Sequence, residues 1–458
     1  MTTFSIEPTG RIEFGAGILD QLANFIASTA QHRVLLVTDQ GLRATGIVDR
    51  ALKILTAAGL EHTCYDAIGP NPSTTAIDTA AATARVFGPA AIVALGGGSV
   101  LDAAKAIALL AANPSASTGD WTAPGWPLIA IPTTSGTGAE TNGFAVIEDT
   151  HRRRKVYIGH SSVKPRIAVL DPELTLRLPP HVTAATGIDA LVHGLESLAS
   201  RNANAVSIGY AAEAVRLVSR WLPVAYADGS DLDARGQVMV GAHLAGQALT
   251  ISGLGLVHGF GHAITAFTGT AHGVALASVL AAVMRFSPEA YEPAGFALSV
   301  DDPVAAALDI ADGVDIVRPL RDLDVDRGML PAIDRRHRPG RRGHSQQPPS
   351  SFSRRSDSAT RVCVLVKHFC VVGYQNGCPC PTGARTQGIV RRLACQRSPA
   401  NTANDRRNSR RPRTRHSQRR DRVRDTAARR GGRCRRWGQA ASWRTCRSGS
   451  TPALTSSS

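Results

Sequence analysis

The 458-residue sequence predicts an α/β N-terminal domain, an all-α domain after it, and a disordered Arg-rich tail. Three observations carry that expectation. Over residues 1–180, short Val/Ile/Leu runs alternate with helical patterns, as parallel βαβ units do when helices cover both faces of the sheet. Over residues 181–333 the chain is Ala/Leu-rich with a helical period and little β-branched alternation. Over residues 334–458 no apolar period is sustained apart from Val362–Val372, so the segment cannot bury enough surface to offset its ordering entropy.

The elements follow in order. Arg33–Asp39 reads as a buried strand closing on a carboxylate, and Val48–Ala58 and Ser73–Val86 have helical spacing. Ala90–Leu95 is a second strand that empties into Gly96-Gly97-Gly98-Ser99, followed by a helix over Val100–Ala112. Leu128–Pro132 is a third strand, ending on Thr133-Thr134-Ser135-Gly136-Thr137-Gly138. Open α/β sheets bind ligands at such strand ends. The Pro179-Pro180 step marks the boundary to the helical domain. Near its end Val304–Val317 reads as one more amphipathic helix interrupted by Gly313.

The net charge of +16 averages two unlike polymers. Residues 335–458 hold 29 Arg, one Lys and four acids, a net of +26, whereas residues 1–334 carry a net of −10. Seven of the eight cysteines lie in the tail, leaving Cys64 alone in the body. A lone cysteine argues against a disulfide framework and suits a reducing, cytoplasmic setting. The N-terminus shows no charged segment followed by an apolar one, and no apolar run is long enough to span a bilayer. Arg with almost no Lys and no interleaved aromatics is what a GC-rich gene yields in a shifted reading frame. A nucleic-acid-binding tail is the competing reading.

Two short stretches carry the chemistry. Asp189 and His193 lie one helical turn apart, as do His258 and His262, and His272 follows a Thr268-Gly269-Thr270 break. One carboxylate with three imidazoles is a borderline-hard donor set suited to Fe²⁺ or Zn²⁺, with coordination positions left for a substrate oxygen. Any one histidine alone is more often a hydrogen-bonded core residue. Five such residues in two clusters on apolar helices favour a metal. The Gly96–Ser99 turn between a strand and a helix allows backbone N–H groups to approach a phosphate, although many glycine runs are only tight turns. Asp39, closing an early strand, would bind a ribose and repel a 2′-phosphate, predicting NAD over NADP; a helix N-cap is the competing reading. The acid precedes the glycines here, and the G-x-G-x-x-G pattern is missing.

Taken together, Gly-Gly-Gly-Ser-x-x-Asp (Gly96–Asp102), Pro-Thr-Thr-x-Gly-Thr-x-x-Glu (Pro132–Glu140), Asp-Ala-Leu-x-His (Asp189–His193), Gly-Leu-Gly-x-x-His-x-x-x-His (Gly253–His262) and His272-Gly273 resemble the iron-containing (group III) alcohol dehydrogenases, closest to the lactaldehyde reductase/1,2-propanediol oxidoreductase type. The resemblance runs from about residue 5 to 330. It implies a dinucleotide-binding domain, then a metal-binding helical domain, and a hydride transfer between a short alcohol or diol and NAD. It implies Asp189, His193, His258 and His272 as ligands to Fe²⁺, with Zn²⁺ possible, and His262 beside the nicotinamide as a proton relay. Asp39, Asn71, Gly97, Gly98, Ser99, Asp102, Thr133, Thr134, Thr137 and Lys155 fall where members touch NAD. It further implies a homo-oligomer.

The departure comes after Leu330, where the family's last helices give way to the Arg-rich stretch. Each buried apolar side chain lost with them costs about 1.5–3 kcal/mol against a typical stability of about 5–15 kcal/mol. The alternatives are maleylacetate reductase, which shares the fold, and an inactive scaffold with a basic nucleic-acid-binding tail.

Overall fold

The computed structural model describes residues 10–113, 121–149, 154–326 and 328–330, together with 4, 6 and 333. The expectations placed on residues 334–458 lie outside these. The α/β part runs β1 (Arg11–Phe14), α1 (Leu22–Ala27), β2 (Arg33–Val37), α2 (Gln40–Arg43), α3 (Ile47–Ala57), β3 (Glu61–Tyr65), α4 (Thr74–Phe87), β4 (Ala91–Gly96), α5 (Gly98–Ala112), β5 (Leu128–Pro132), β6 (Phe144–Asp149), β7 (Arg154–Gly159) and β8 (Ile167–Leu170). The helical part follows with α6 (Pro180–Ala199), α7 (Ala205–Ala227), α8 (Leu232–Ser252), α9 (Leu256–Thr268), α10 (His272–Phe286), α11 (Glu292–Leu298) and α12 (Pro303–Gly313).

Six strands form a parallel sheet in the order β1-β8-β5-β4-β2-β3. Strands β4 and β5 are buried along their whole length, which is why their sequences are continuous apolar runs rather than alternating ones. One face packs Leu22, Ile26, Val48 and Leu55 from α1 and α3; the other packs Ile77, Leu101 and Ile107 from α4 and α5. The chain moves outward from β2 to β3, then returns to the other side of β2 for β4. Between β2 and β4 the order reverses, and that switch point is where such sheets bind ligands.

Three local expectations differ from the structure. The strand expected over residues 33–39 stops at Val37, because Asp39 turns the chain and caps α2 through a 2.8 Å bond from Leu42 N–H. The helix expected over 304–317 ends at Gly313. Strands β6 and β7 form an antiparallel hairpin outside the main sheet, where only parallel units were expected. Pro180 opens α6 at its first turn, where its missing N–H costs nothing.

In the helical part α6 is central and buried over most of its length. Ile188, Leu191 and Leu195 pack with Val215, Val218 and Leu222 of α7 and with Phe260, Leu276 and Leu280 beyond. Leu323, Val325 and Ile333 close on the same core. No single helix among the described residues is long and apolar enough to cross a membrane.

Candidate metal centre and nucleotide cleft

Spacing on α6 places Asp189, His193 and Glu196 on one face, at i, i+4 and i+7. Helix α9 contributes His258 from its first turn and His262 one turn later, and α10 begins on His272. Gly273 lets that start approach α6: a Cβ there would lie 2.0 Å from the Ala185 carbonyl oxygen.

These side chains converge on one carboxylate oxygen. Asp189 Oδ1 lies 3.3 Å from His258 Nε2, 3.6 Å from His193 Nε2 and 3.7 Å from His272 Nε2. Donors bound to one cation at about 2.0–2.2 Å stand roughly 3–3.4 Å apart, so the set needs little contraction to share an ion. Asp189, His258 and His272 form the tightest trio, with ligand atoms all within 4.8 Å. His193 stands beside it, its ring stacked on His258 at 4.5 Å. His262 stacks on His272 at 4.9 Å and meets the His258 ring edge-on at 5.9 Å. Donor chemistry and convergence fit a divalent metal.

Glu196 is the residue that sequence reasoning misses. It is buried, and its Oε2 lies 2.7 Å from His258 Nδ1. The same carboxylate accepts backbone N–H bonds from Gly255 (3.0 Å) and Val257 (2.5 Å) at the start of α9. It thus fixes the His258 ring and caps a helix that has no side-chain cap of its own. Its spacing from Asp189 and His193 was the available signal.

The electrostatics follow from crowding. Burial alone would raise the Asp189 carboxyl, but His193, His258 and His272 together hold it well below the carboxylate range. Burial would depress His258, yet bonds to Asp189 and Glu196 raise it to about 9 in the metal-free protein. Burial dominates for His193 and His272, each pushed down to about 4. His262 is driven well below its ordinary value by burial and by the neighbouring His272 and His258.

The nucleotide-side residues gather at the strand ends. Gly98 opens α5, whose start carries no side-chain cap, and a Cβ there would lie 2.6 Å from Thr137 Cγ2. A Cβ on Gly97 would meet Thr134 at 3.4 Å, and Thr133 N–H donates to the Gly96 carbonyl at 3.0 Å. This narrow, glycine-walled turn beside a helix start fits a phosphate. Asn71, in the left-handed region at φ 51°, donates its N–H to Ser99 Oγ at 3.4 Å and accepts from Lys155 Nζ at 2.7 Å. The Lys155 ammonium is felt by His262 and His272, so β7 links the two clusters. Asp39 sits beyond β2 as the cap of α2. Asp102 faces inward, accepting from Lys105 Nζ at 3.1 Å and from the Val146 N–H at 2.9 Å.

A parallel sheet with a glycine-walled switch point, joined to helices bearing a carboxylate–histidine cluster, is the architecture of a nucleotide- and metal-using oxidoreductase. The iron-containing alcohol dehydrogenase model matches residues 8–172, and the C-terminal model of the Fe-containing alcohol dehydrogenase family matches residues 183–336. The chain is 34% identical to the NAD-dependent methanol dehydrogenase of Bacillus methanolicus, covering 60% of this chain and 73% of that one. It is 34% identical to the lactaldehyde reductase of Escherichia coli K12, over 60% of this chain and 74% of that protein. The solved structure of a 1,3-propanediol oxidoreductase superposes with a TM-score of 0.73 at 28% identity, over 80% of this chain and all of that one. The chain belongs to the iron-containing alcohol dehydrogenase family.

Proposed function

We propose that this chain is a metal-dependent NAD(H) alcohol dehydrogenase/aldehyde reductase acting on a short alcohol or diol. Asp189, His193, His258 and His272 would hold the metal, with Fe²⁺ preferred and Zn²⁺ admitted by the same donors. Gly97, Gly98, Ser99, Thr133, Thr134 and Thr137 would cradle the cofactor's phosphates, with Asp39 at the adenine ribose and Asn71 and Lys155 toward the nicotinamide side. A cation held by these residues would supply Lewis-acid polarisation of the substrate oxygen, and the nicotinamide would supply the hydride acceptor. Burial and the neighbouring His272 and His258 favour the neutral form of His262, and an imidazole in that place would relay the proton of the reacting hydroxyl. Glu196 accepts from His258 Nδ1–H, which leaves Nε2, the nitrogen facing Asp189, as the one that would bind the metal.

The observation that carries this reading is the approach of three imidazole Nε2 atoms to Asp189 Oδ1 within 3.3–3.7 Å. The test is metal content and NADH oxidation by short aldehydes, in metal-stripped and Fe²⁺-loaded protein. Loading should restore turnover, and His258→Ala should lose both the metal and at least about a hundredfold in rate. Equal turnover by stripped protein, or none in protein holding one Fe²⁺, would reject the reading.

A further inference from the structure

We propose that Glu140 and His243 are positioning residues. They lock the nucleotide-side loop to α8, which packs on the helix carrying Asp189 and His193, so turnover depends on the pair while each binding half survives without it. The inference rests on the function proposed above.

The loop after β5 holds Thr133, Thr134 and Thr137, and runs directly into a buried 3₁₀ turn, Ala139–Thr141, that docks on α8. The docking uses one stripe of α8, at spacings of three and four residues. Glu140 Oε1 lies 3.0 Å from His243 Nδ1, and His243 Nε2 lies 3.1 Å from Gln247 Nε2. Both contacts are made at once by a neutral imidazole, with Nδ1–H donating to the carboxylate and Nε2 accepting from the amide. Thr141 Oγ1 meets Thr250 Oγ1 at 3.3 Å. Between them the two backbones touch. Gly138 adopts φ 60°, and a Cβ on it would lie 2.5 Å from the Gly246 Cα.

The loop is held on its other side as well. Lys105, wholly buried, donates from Nζ to Asp102, to Asn142 Oδ1 and to the Phe144 carbonyl, tying residues 142–144 to the helix that begins at the glycine turn. Helix α8 in turn packs on α6, which carries Asp189 and His193. The segment Ala139–Phe144 is therefore tied on one side to the helix that starts at the glycine turn and on the other to α8, which packs on the helix bearing Asp189 and His193. Glu140 and His243 are only 7% and 3% exposed. A buried carboxylate–imidazole pair is a poor source of stability, since desolvation offsets most of the attraction; its return is a fixed register. Hydride transfer needs such a register, because misplacement by about 1 Å can cost roughly a hundredfold in rate.

Glu140→Leu removes the bond while keeping bulk, Glu140→Gln keeps an acceptor for His243, and Gly246→Ala wedges the loop from α8 without touching a charge. Each Fe²⁺-loaded full-length variant is assayed for bound metal, NADH affinity by fluorescence, and kcat. For Glu140→Leu and Gly246→Ala we expect metal content and NADH Kd within about twofold of the parent, with kcat down about tenfold to a hundredfold. Glu140→Gln should recover most of that loss. Unchanged kcat in both, or a kcat loss matched by equal losses of metal and NADH binding, overturns the assignment. Should Glu140→Leu fail to fold, Gly246→Ala decides alone. An inactive parent that binds NADH and iron would instead reject the proposed function.

Discussion

Replacing Glu196 by Gln tests whether the metal centre depends on a carboxylate that does not itself face the ion. The side chain keeps its size but loses its charge and one of its two acceptor oxygens. In the native protein Oε1 accepts from Val257 N–H, while Oε2 accepts from Gly255 N–H and faces His258 Nδ1. With the amide oxygen in the place of Oε2 the contacts to Gly255 and His258 survive as weaker, uncharged ones, and the NH₂ is set against the Val257 N–H. One buried donor left unpaired costs about 1–3 kcal/mol. Loss of such a partner to a ligating histidine lowers metal affinity about 10–100-fold, or about 1.4–2.8 kcal/mol. Calorimetric titration of stripped protein with Zn²⁺ and with anaerobic Fe²⁺ reads the affinity, and melting with and without metal reads the stability. Glu196→Ala is the less informative variant, since it strips every acceptor from the start of α9 together. If Glu196→Gln binds either ion within about twofold of the parent, the carboxylate neither orients nor polarises His258, and the reasoning fails.

Two further outcomes follow from the same geometry. Asp39→Ser keeps a cap on α2 while removing the charge, so the ratio of kcat/KM for NADPH over NADH should rise by about tenfold or more, since like charges near contact repel by about 1–4 kcal/mol; an unchanged ratio would place the adenine ribose elsewhere. In the metal-free protein His258 is raised to about 9, so its proton stabilises the fold below its ordinary value of 6.5 and that stability is lost as pH rises through about 9. An arriving cation must displace this proton. Apparent metal affinity should therefore climb with pH up to about 9, by up to about tenfold per unit, with proton release counted by calorimetry in buffers of different ionisation enthalpy. No release near pH 7 would contradict it.

Much of this was legible in the chain because the relevant signals are local. Strands β4 and β5 announce burial through uninterrupted apolar residues, and the turns that follow announce themselves through glycine and threonine. His258 and His262 share a helix face by spacing alone. What sequence does not carry is the identity of partners from distant elements. Glu196 reads as an ordinary helical glutamate until Gly255 and His258, 59 and 62 residues away, come to rest on it. Glu140 belongs to a motif, but nothing local says that it meets His243 across 103 residues. The β6–β7 hairpin is not legible because Thr150-His151-Arg152-Arg153, between its strands, offers no Gly, Asn or Pro turn signal, and the strands before it suggest parallel pairing. Lys155 reaches Asn71 only through that hairpin.

The charge count around the cluster explains why both carboxylates are needed. His258 sits in the first turn of α9 and His272 opens α10, so two helix N-termini, each equivalent to about half a positive charge, point toward the donors. That field opposes imidazolium and so favours neutral ligands, but it also opposes a cation. Asp189 and Glu196 together supply two negative charges against it. With a divalent ion included, the sum would be about +1, in a pocket where Asp189, Glu196, His193 and His258 are almost wholly buried and screening is weak. On the proposed function, the residual positive potential would favour a substrate oxygen gaining negative charge beside Asp189, which is the charge change that loss of a hydroxyl proton demands. Removing either carboxylate would raise that potential further while weakening the hold on the ion. Affinity for the metal and stabilisation of the reacting oxygen would therefore be set against each other by the same two side chains.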